Sequence, residues 1–141
     1  MKQFLLIFLA FISPLLPLAL LVTFASVIDT FVGRWYARQT NVIVTSRKTR
    51  LGLMRKLIIY FTALMFSFLV DRFMINEIAR NYIWFDFAFT KFVATLLIWI
   101  EYTSVDEKIK WVKGKGITDR IIEFGRALKS LIKFKDDSIK N

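Results

Sequence analysis

Five ionisable side chains lie within or at the ends of apolar stretches of the sequence. Carboxylates and lysines can act as general acids and bases, but the 141-residue chain contains no cysteine and no histidine. Disulfides, thiolate chemistry, the usual zinc sites and Ser–His or Cys–His nucleophile pairs are therefore excluded. We predict no enzyme activity and no catalytic, cofactor-binding or metal site, and we expect these residues to serve helix association or to line a pore. The five residues are Asp29, Asp71, Asp86, Lys91 and Glu101.

Lys91 is the most informative of the five. It lies near the middle of the apolar stretch 82–100, and no acidic residue lies four positions away on either side. A charged side chain near the bilayer centre costs at least about 2.5–3.5 kcal/mol on insertion scales. We therefore expect Lys91 to face the protein interior, water or a partner carboxylate. For each acidic residue taken alone, a solvated position at the end of a span is the alternative interpretation.

The composition predicts an all-α integral membrane protein with three transmembrane helices. The chain is 56% hydrophobic, whereas soluble domains are typically about 45–50% apolar. Residues 4–28 contain no charged side chain, and about 20 apolar residues suffice to cross the hydrocarbon core. Pro14 and Pro17 predict a kink or break in the first span. A cleavable signal peptide is the alternative for that segment, and an interfacial helix for the second. We place the membrane domain at residues 1–116, with spans at about 4–33, 53–75 and 82–101.

The segment 34–56, between the first two spans, is predicted to be a basic cytoplasmic loop. It contains seven Lys or Arg residues and no acid. Residues 71–86 carry two basic and three acidic residues, and residues 102–141 carry ten basic and six acidic ones. The positive-inside rule then places the N-terminus outside and the C-terminus in the cytoplasm of a bacterial inner membrane. The residues predicted to set topology or contact anionic lipid of the inner leaflet are Arg34, Arg38, Arg47, Lys48, Arg50, Arg55 and Lys56.

A nucleic acid could also attract a chain with a formal charge of +10. However, the basic segment carries no aromatic stacking platform and lies within one loop length of two apolar spans. We therefore expect anionic lipid as the partner and no nucleic acid.

Residues 117–135 predict a cytoplasmic amphipathic helix, followed by a polar tail at 136–141. Apolar residues recur there at spacings of four, three, four and three, which places them on one helical face. Thr118 is a plausible N-cap, and Asp119 in the first turn is favoured by the helix dipole. The helix can lie in the inner leaflet, pack between protomers or dock a cytoplasmic protein. The recurring residues are Ile117, Ile121, Phe124, Leu128 and Leu131.

Small and hydroxyl-bearing residues form a stripe along the first span, again at helical spacing. Such residues let membrane helices approach closely, and their hydroxyls can bridge two helices. The stripe predicts either packing within the chain, a seam between copies in a homo-oligomer, or a wettable face. It consists of Ala19, Thr23, Ser26, Thr30 and Gly33, with Asp29 beside it.

The order of these features resembles the small phage holins, also described as toxin-secretion/phage-lysis holins, over about residues 18–116. A first span ends in an Asp-x-x-x-Gly turn, a basic loop follows, the second span ends in Asp, and the last runs into Glu-x-x-Ser-x-x-Glu. The sequence departs from the family pattern at Val32, Ile100 and Lys108. The matching positions are Asp29, Gly33, Ser46, Lys48, Gly52, Lys56, Asp71, Glu101, Ser104 and Glu107.

The resemblance implies a protein that oligomerises in the host inner membrane and permeabilises it, releasing a lytic enzyme or another protein. Two alternatives come from other functional classes. One is a structural or adaptor membrane subunit that docks a cytoplasmic partner at 117–135, and the other is a small ion channel or transporter subunit.

Overall fold

The computed structural model describes residues 2–75 and 86–139, and the regular elements in these ranges are all helices. The start of the predicted third span, residues 82–85, and the last two residues of the predicted polar tail lie outside the described residues. A 3-10 turn, Ser13–Leu15, separates the first two helices, and a π-helical turn, Asp71–Ile75, follows the third. The helices are α1 (Lys2–Ile12), α2 (Leu16–Gln39), α3 (Ser46–Val70), α4 (Ala88–Lys113) and α5 (Ile117–Ile139).

Three helical segments are long and apolar enough to cross a membrane, judged by length and composition. They are Leu9–Gln39, Ser46–Met74 and Ala88–Lys113. The all-α, three-span fold class predicted from the sequence is therefore confirmed.

The two prolines interrupt the first segment where the sequence predicts it. Pro14 lies in the 3-10 turn, and Pro17 lies in the first turn of α2. A proline is tolerated at both places, because the first turn of a helix needs no intrahelical N–H donor. The Ser13 hydroxyl donates to the Ala10 carbonyl at 3.0 Å. The segment is thus one helical path with a local change of winding.

Most of the segment 34–56 is helical, which corrects the prediction of a loop. Helix α2 continues to Gln39, and α3 begins at Ser46, which leaves six non-helical residues, 40–45. Thr45 caps α3, since its hydroxyl accepts a hydrogen bond from the Lys48 amide at 3.4 Å. Long unbranched Lys and Arg side chains favour helices, so a high basic charge does not by itself break a helix. Asn41, with φ 54°, helps to reverse the chain.

Helices α2, α3 and α4 form the bundle, and each of them packs against the other two. Phe68 is central: its ring meets Phe11 edge-on at 5.4 Å between centroids and stacks on Phe87 at 5.3 Å. Ala94 of α4 is buried against this core, and its small side chain lets the helices approach. The fully buried apolar residues of the core are Leu15, Val22, Leu64, Phe68 and Ala94.

The outward surface of α3 is apolar between two exposed arginines, Arg55 and Arg72. The guanidinium of Arg72 lies 5.9 Å from the centre of the Phe11 ring. Such a contact lets an arginine remain at an apolar surface, because the ring face attracts the cation.

Phe68→Ala is expected to destabilise the bundle, because it leaves a cavity between three helices and removes two ring contacts. Buried Phe→Ala substitutions cost about 3–5 kcal/mol in soluble cores. We expect the unfolding midpoint in mixed detergent micelles to fall clearly. Phe66→Ala is the matched control, since Phe66 lies on the same helix and is 68% exposed. Equal effects of the two substitutions would contradict this assignment of the core.

Candidate functional site

Four charged side chains from three helices meet inside the bundle, in what we call the charged cluster: Asp29, Lys56, Glu101 and Lys108. The Lys56 ammonium donates to Asp29 Oδ2 at 2.8 Å and to Glu101 Oε2 at 2.9 Å. Lys108 donates to the other oxygen of Asp29, Oδ1. The cluster thus joins α2, α3 and α4 through ion pairs, and its formal charges cancel.

Two hydroxyl groups complete the hydrogen bonding of Glu101. Tyr60 Oη donates to Glu101 Oε1 at 2.7 Å, and Ser26 Oγ lies 3.4 Å from the same oxygen. The Glu101 side chain is 1% exposed and that of Asp29 is 5% exposed. Buried carboxylates are tolerated only when paired and hydrogen-bonded, and both conditions hold here.

The local sequence explains how each helix presents its members of the cluster. On α4, Glu101 and Lys108 are seven residues apart, which is close to two turns and places both on one face. On α3, Lys56 and Tyr60 are four residues apart and share a face in the same way. Gly33 lies beside Lys108, since a Cβ built on Gly33 would be 3.6 Å from the lysine Nζ. The lysine stem therefore passes close to the α2 backbone.

The cluster occupies one layer across the bundle. Asp29 lies ten residues before the end of α2 at Gln39, and Lys56 lies ten residues after the start of α3 at Ser46. Both are thus about 15 Å from the helix end, at a rise of about 1.5 Å per residue. Glu101, twelve residues before the end of α4, lies at about 18 Å by the same rise. The three helices therefore carry their charges at matching heights.

A second buried carboxylate, Asp71, lies at the opposite end of α3 and caps helix α4. It accepts hydrogen bonds from the Phe89 amide at 3.3 Å, from the Thr90 amide at 2.5 Å and from the Thr90 hydroxyl at 2.6 Å. Phe87, the residue before α4, has φ 57° and offers no side-chain cap of its own. Asp71 is fully buried, and it satisfies amides that would otherwise lack a partner.

The ionisable residues that the sequence singled out fall into a buried group and an exposed group. Asp29, Asp71 and Glu101 are buried, whereas Asp86 and Lys91 are exposed on the bundle surface. Lys91 lies ten residues from Glu101 on the same helix, about 15 Å along its axis, and does not reach the cluster. Its neighbour Thr90 takes the inward position at this level of α4.

Lys56 forms ion pairs inside the bundle, whereas the sequence predicted that it contacts lipid or sets topology. The sequence interpretation grouped it with residues that contact lipid or set topology, but its ammonium binds Asp29 and Glu101. Sequence reasoning also missed Tyr60 and Lys108 as cluster members. Both could have been found from helical spacing, because Tyr60 lies four residues after Lys56 and Lys108 lies seven residues after Glu101.

The remaining basic and family-motif positions form no ion pair with the charged cluster in the described residues. Arg34 and Ser104 are half-buried. The other such positions are exposed: Arg38, Ser46, Arg47, Lys48, Arg50, Gly52, Arg55 and Glu107.

The stripe on the first span divides into two parts. Ser26 is buried and faces Glu101, and Gly33 faces Lys108. The hydroxyls of Thr23 and Thr30 donate to carbonyls of their own helix, at 2.7 and 2.8 Å. Ala19 and Thr23 line an apolar groove of about 350 Å³ between α2 and α3. One part of the stripe therefore packs within the chain, and the other borders an open groove.

The comparisons with known proteins bear on the whole of this arrangement. The bacteriophage holin family model matches residues 4–130. The chain belongs to the bacteriophage holin family. Searches of curated proteins and of solved structures found no match. The resemblance drawn from the motif residues is thus confirmed, and the match extends beyond the predicted stretch at both ends.

Family membership makes this holin a membrane protein of phage lysis, in a family that is not an enzyme family. The groups of the charged cluster are ion-paired with one another. The described residues contain no group of three or more His, Cys, Asp or Glu that could hold a metal ion.

Lys56→Met is expected to destabilise the holin bundle, because it leaves Glu101 buried without its cationic partner. Removing one member of a fully buried pair costs about 3–5 kcal/mol, and we expect a smaller loss here because the Lys56 side chain is 37% exposed. Lys48→Met is the matched control on the same helix, since Lys48 is exposed. Unfolding in mixed micelles should show a loss for the first variant and little change for the second. A loss of equal size in both would argue against a stabilising cluster.

Asp71→Ala is expected to weaken the start of α4, because the Thr90 amide and hydroxyl lose their acceptor. An unsatisfied buried donor costs about 1–3 kcal/mol. Amide hydrogen exchange at Phe89 and Thr90 should speed up, and exchange near Gly52 should stay the same. Asp86→Ala serves as the control, since Asp86 is exposed in the turn before α4. Unchanged exchange in Asp71→Ala would refute the capping role.

Proposed function

We propose that this holin accumulates in the bacterial inner membrane, oligomerises, and opens lesions through which a lytic enzyme or another protein passes. The observation that carries the proposal is the charged cluster inside the three-helix bundle. The proposal also places the N-terminus outside and the C-terminus in the cytoplasm, following the positive-inside rule.

The ion pairs of the charged cluster form within one chain, which supports a closed state of the protein in the membrane. Asp29 and Glu101 are neutralised by Lys56 and Lys108, so a single bundle holds these two buried carboxylates without leaving either of them unpaired. Such a bundle can accumulate to a high density without conducting solutes.

In an open form, the same four charges would line the water-filled lesion. Replacing a buried ion pair by well-packed apolar residues is often neutral or stabilising, so bundle stability alone is a weak reason to bury four charges. When helices exchange partners between copies, the cluster residues can turn towards water and line the lesion wall. Water then solvates the charges that were paired in the closed bundle, and the conversion is a shift between two states of the same helices.

We propose that copies first contact one another at the groove between α2 and α3. Ala19 and Thr23 are small, and the groove beside them is open and apolar. Small residues favour close helix contact in lipid, where packing drives association. Exposed Lys91 and Asp86, at the other end of the bundle, are a complementary pair for contacts between neighbouring copies.

Inducible expression in a bacterium tests the function directly. We expect that, above a threshold level of inserted protein, the cells take up a membrane-impermeant dye and release a cytoplasmic reporter enzyme. Permeability to ions alone, abolished by Lys91→Ala, would favour a channel subunit. Insertion at high level with neither dye uptake nor enzyme release would rule out the holin activity.

A charge-free variant tests the role of the cluster. Asp29→Leu, Glu101→Leu, Lys56→Met and Lys108→Met together remove both signs of charge and leave no unpaired charge in the cluster. We expect this variant to insert but to release at least tenfold less reporter enzyme, because an apolar wall does not hold water. The matched control exchanges Ile28, Ile59 and Ile100, which are exposed on the same helices, for leucine. Equal release by the two variants would show that the cluster does not line the lesion.

A further inference from the structure

Helix α5 has an apolar face that the bundle leaves uncovered. The residues from Arg120 to Ser130 are all exposed, among them Ile121 at 61%, Phe124 at 65% and Leu128 at 44%. At about 100° per residue these three lie within one narrow sector of the helix. A face of this kind requires a partner, since exposed apolar patches mark interaction surfaces.

The charges around this face are arranged in a definite order. Arg120 and Lys129 border the apolar sector on its two sides, as the same helical geometry shows. The acidic residues Asp119 and Glu123 lie on the far side, and Glu123 forms an ion pair with Lys115. Between Arg120 and Ser130, a surface that meets the apolar sector therefore meets two basic residues at its edges and no acid.

The start of α5 is held at a defined place along α4. The Asp106 carboxylate accepts hydrogen bonds from the Ile117 and Thr118 amides, the latter at 3.0 Å, and from the Thr118 hydroxyl at 3.2 Å. The Tyr102 hydroxyl lies 3.0 Å from the Thr118 hydroxyl. The helix cap is thus Asp106, a residue of the neighbouring helix, and not Thr118 as the sequence suggested.

A buried glycine makes this close approach feasible. A Cβ built on Gly116 would lie 2.6 Å from Asp106 Oδ1, so only glycine leaves room for the carboxylate. Asp106 lies seven residues before the end of α4 at Lys113. Helix α5 therefore begins beside Tyr102, whose ring contacts Trp99 at 5.8 Å between centroids. Tyrosine and tryptophan together are typical of the membrane–water interface.

We propose that α5 binds a lipid surface with anionic headgroups, with Ile121, Phe124 and Leu128 in the acyl boundary and Arg120 and Lys129 at the phosphates. The helix begins at interface level and leaves α4 at once, since its polar contacts with α4 end at Asp119. A basic-edged amphipathic helix at this level matches a bilayer surface. A second copy fits less well, because it would bring the same basic edges together. The inference does not depend on lesion formation.

Site-directed labelling of the full chain in vesicles tests this assignment, and the absence of native cysteine makes single-cysteine variants straightforward. Leu128→Cys reports on the apolar sector. Ser130→Cys, two residues away and on the far side, is the matched control. Spin labels at both positions are compared in vesicles of phosphatidylglycerol with phosphatidylcholine and in vesicles of phosphatidylcholine alone.

In the anionic vesicles we expect the label at 128 to be accessible to oxygen and shielded from a water-soluble relaxation agent, and the label at 130 to show the reverse. The contrast should shrink several-fold in vesicles of phosphatidylcholine alone or in an Arg120→Gln, Lys129→Gln background. Water exposure of both labels would overturn the proposal. If the label at 128 is shielded from oxygen and from the water-soluble agent, and if this shielding increases with protein density, a second copy covers the face and the lipid proposal is overturned.

Discussion

The neutralisation of two buried carboxylates by two lysines is the interaction on which the rest of the bundle depends. Three helices contribute to it, so none can rotate or slide by one residue without separating a pair of charges in a medium of low dielectric constant. The apolar core around Phe68 favours contact between the helices without selecting a register strongly. We infer that the charged cluster selects the register, a role that buried polar groups have in some helical assemblies.

Both helices of the C-terminal half, α4 and α5, are capped at the N-terminus by a carboxylate from the preceding helix. Asp71 caps α4 from the end of α3, and Asp106 caps α5 from the side of α4. In each case a carboxylate of the preceding helix accepts from the amides of the first turn, where the helix dipole also favours negative charge. Consecutive helices are therefore tied together by their polar ends, which suits a protein whose apolar side faces are surrounded by lipid.

The sequence predicted what depends on composition and length, namely three spans and the interruption at Pro14 and Pro17. It also singled out Asp29, Asp71 and Glu101, which are buried in the structure. It did not predict the pairing of Lys56 and Lys108 with the carboxylates, because periodicity defines the face of each helix but not its rotation relative to its neighbours. The outward position of Lys91 and the cap provided by Asp71 depend on the same rotation. Most of 34–56 is helical, which the sequence did not predict, because the charge count places this segment between two spans and does not define its backbone conformation.

The spacing of the two exposed arginines that flank the apolar surface of α3, Arg55 in α3 and Arg72 in the following π-helical turn, has a mechanical consequence for the bilayer. Arg55 and Arg72 are seventeen residues apart, or about 25 Å at about 1.5 Å per residue, whereas the hydrocarbon layer is about 30 Å thick. Either the arginine stems stretch outward or the lipid thins around the bundle, at an elastic cost of a fraction of a kcal/mol per Å. Where the lipid thins, two bundles that share one thinned region deform less lipid than two separate bundles, which would favour their association.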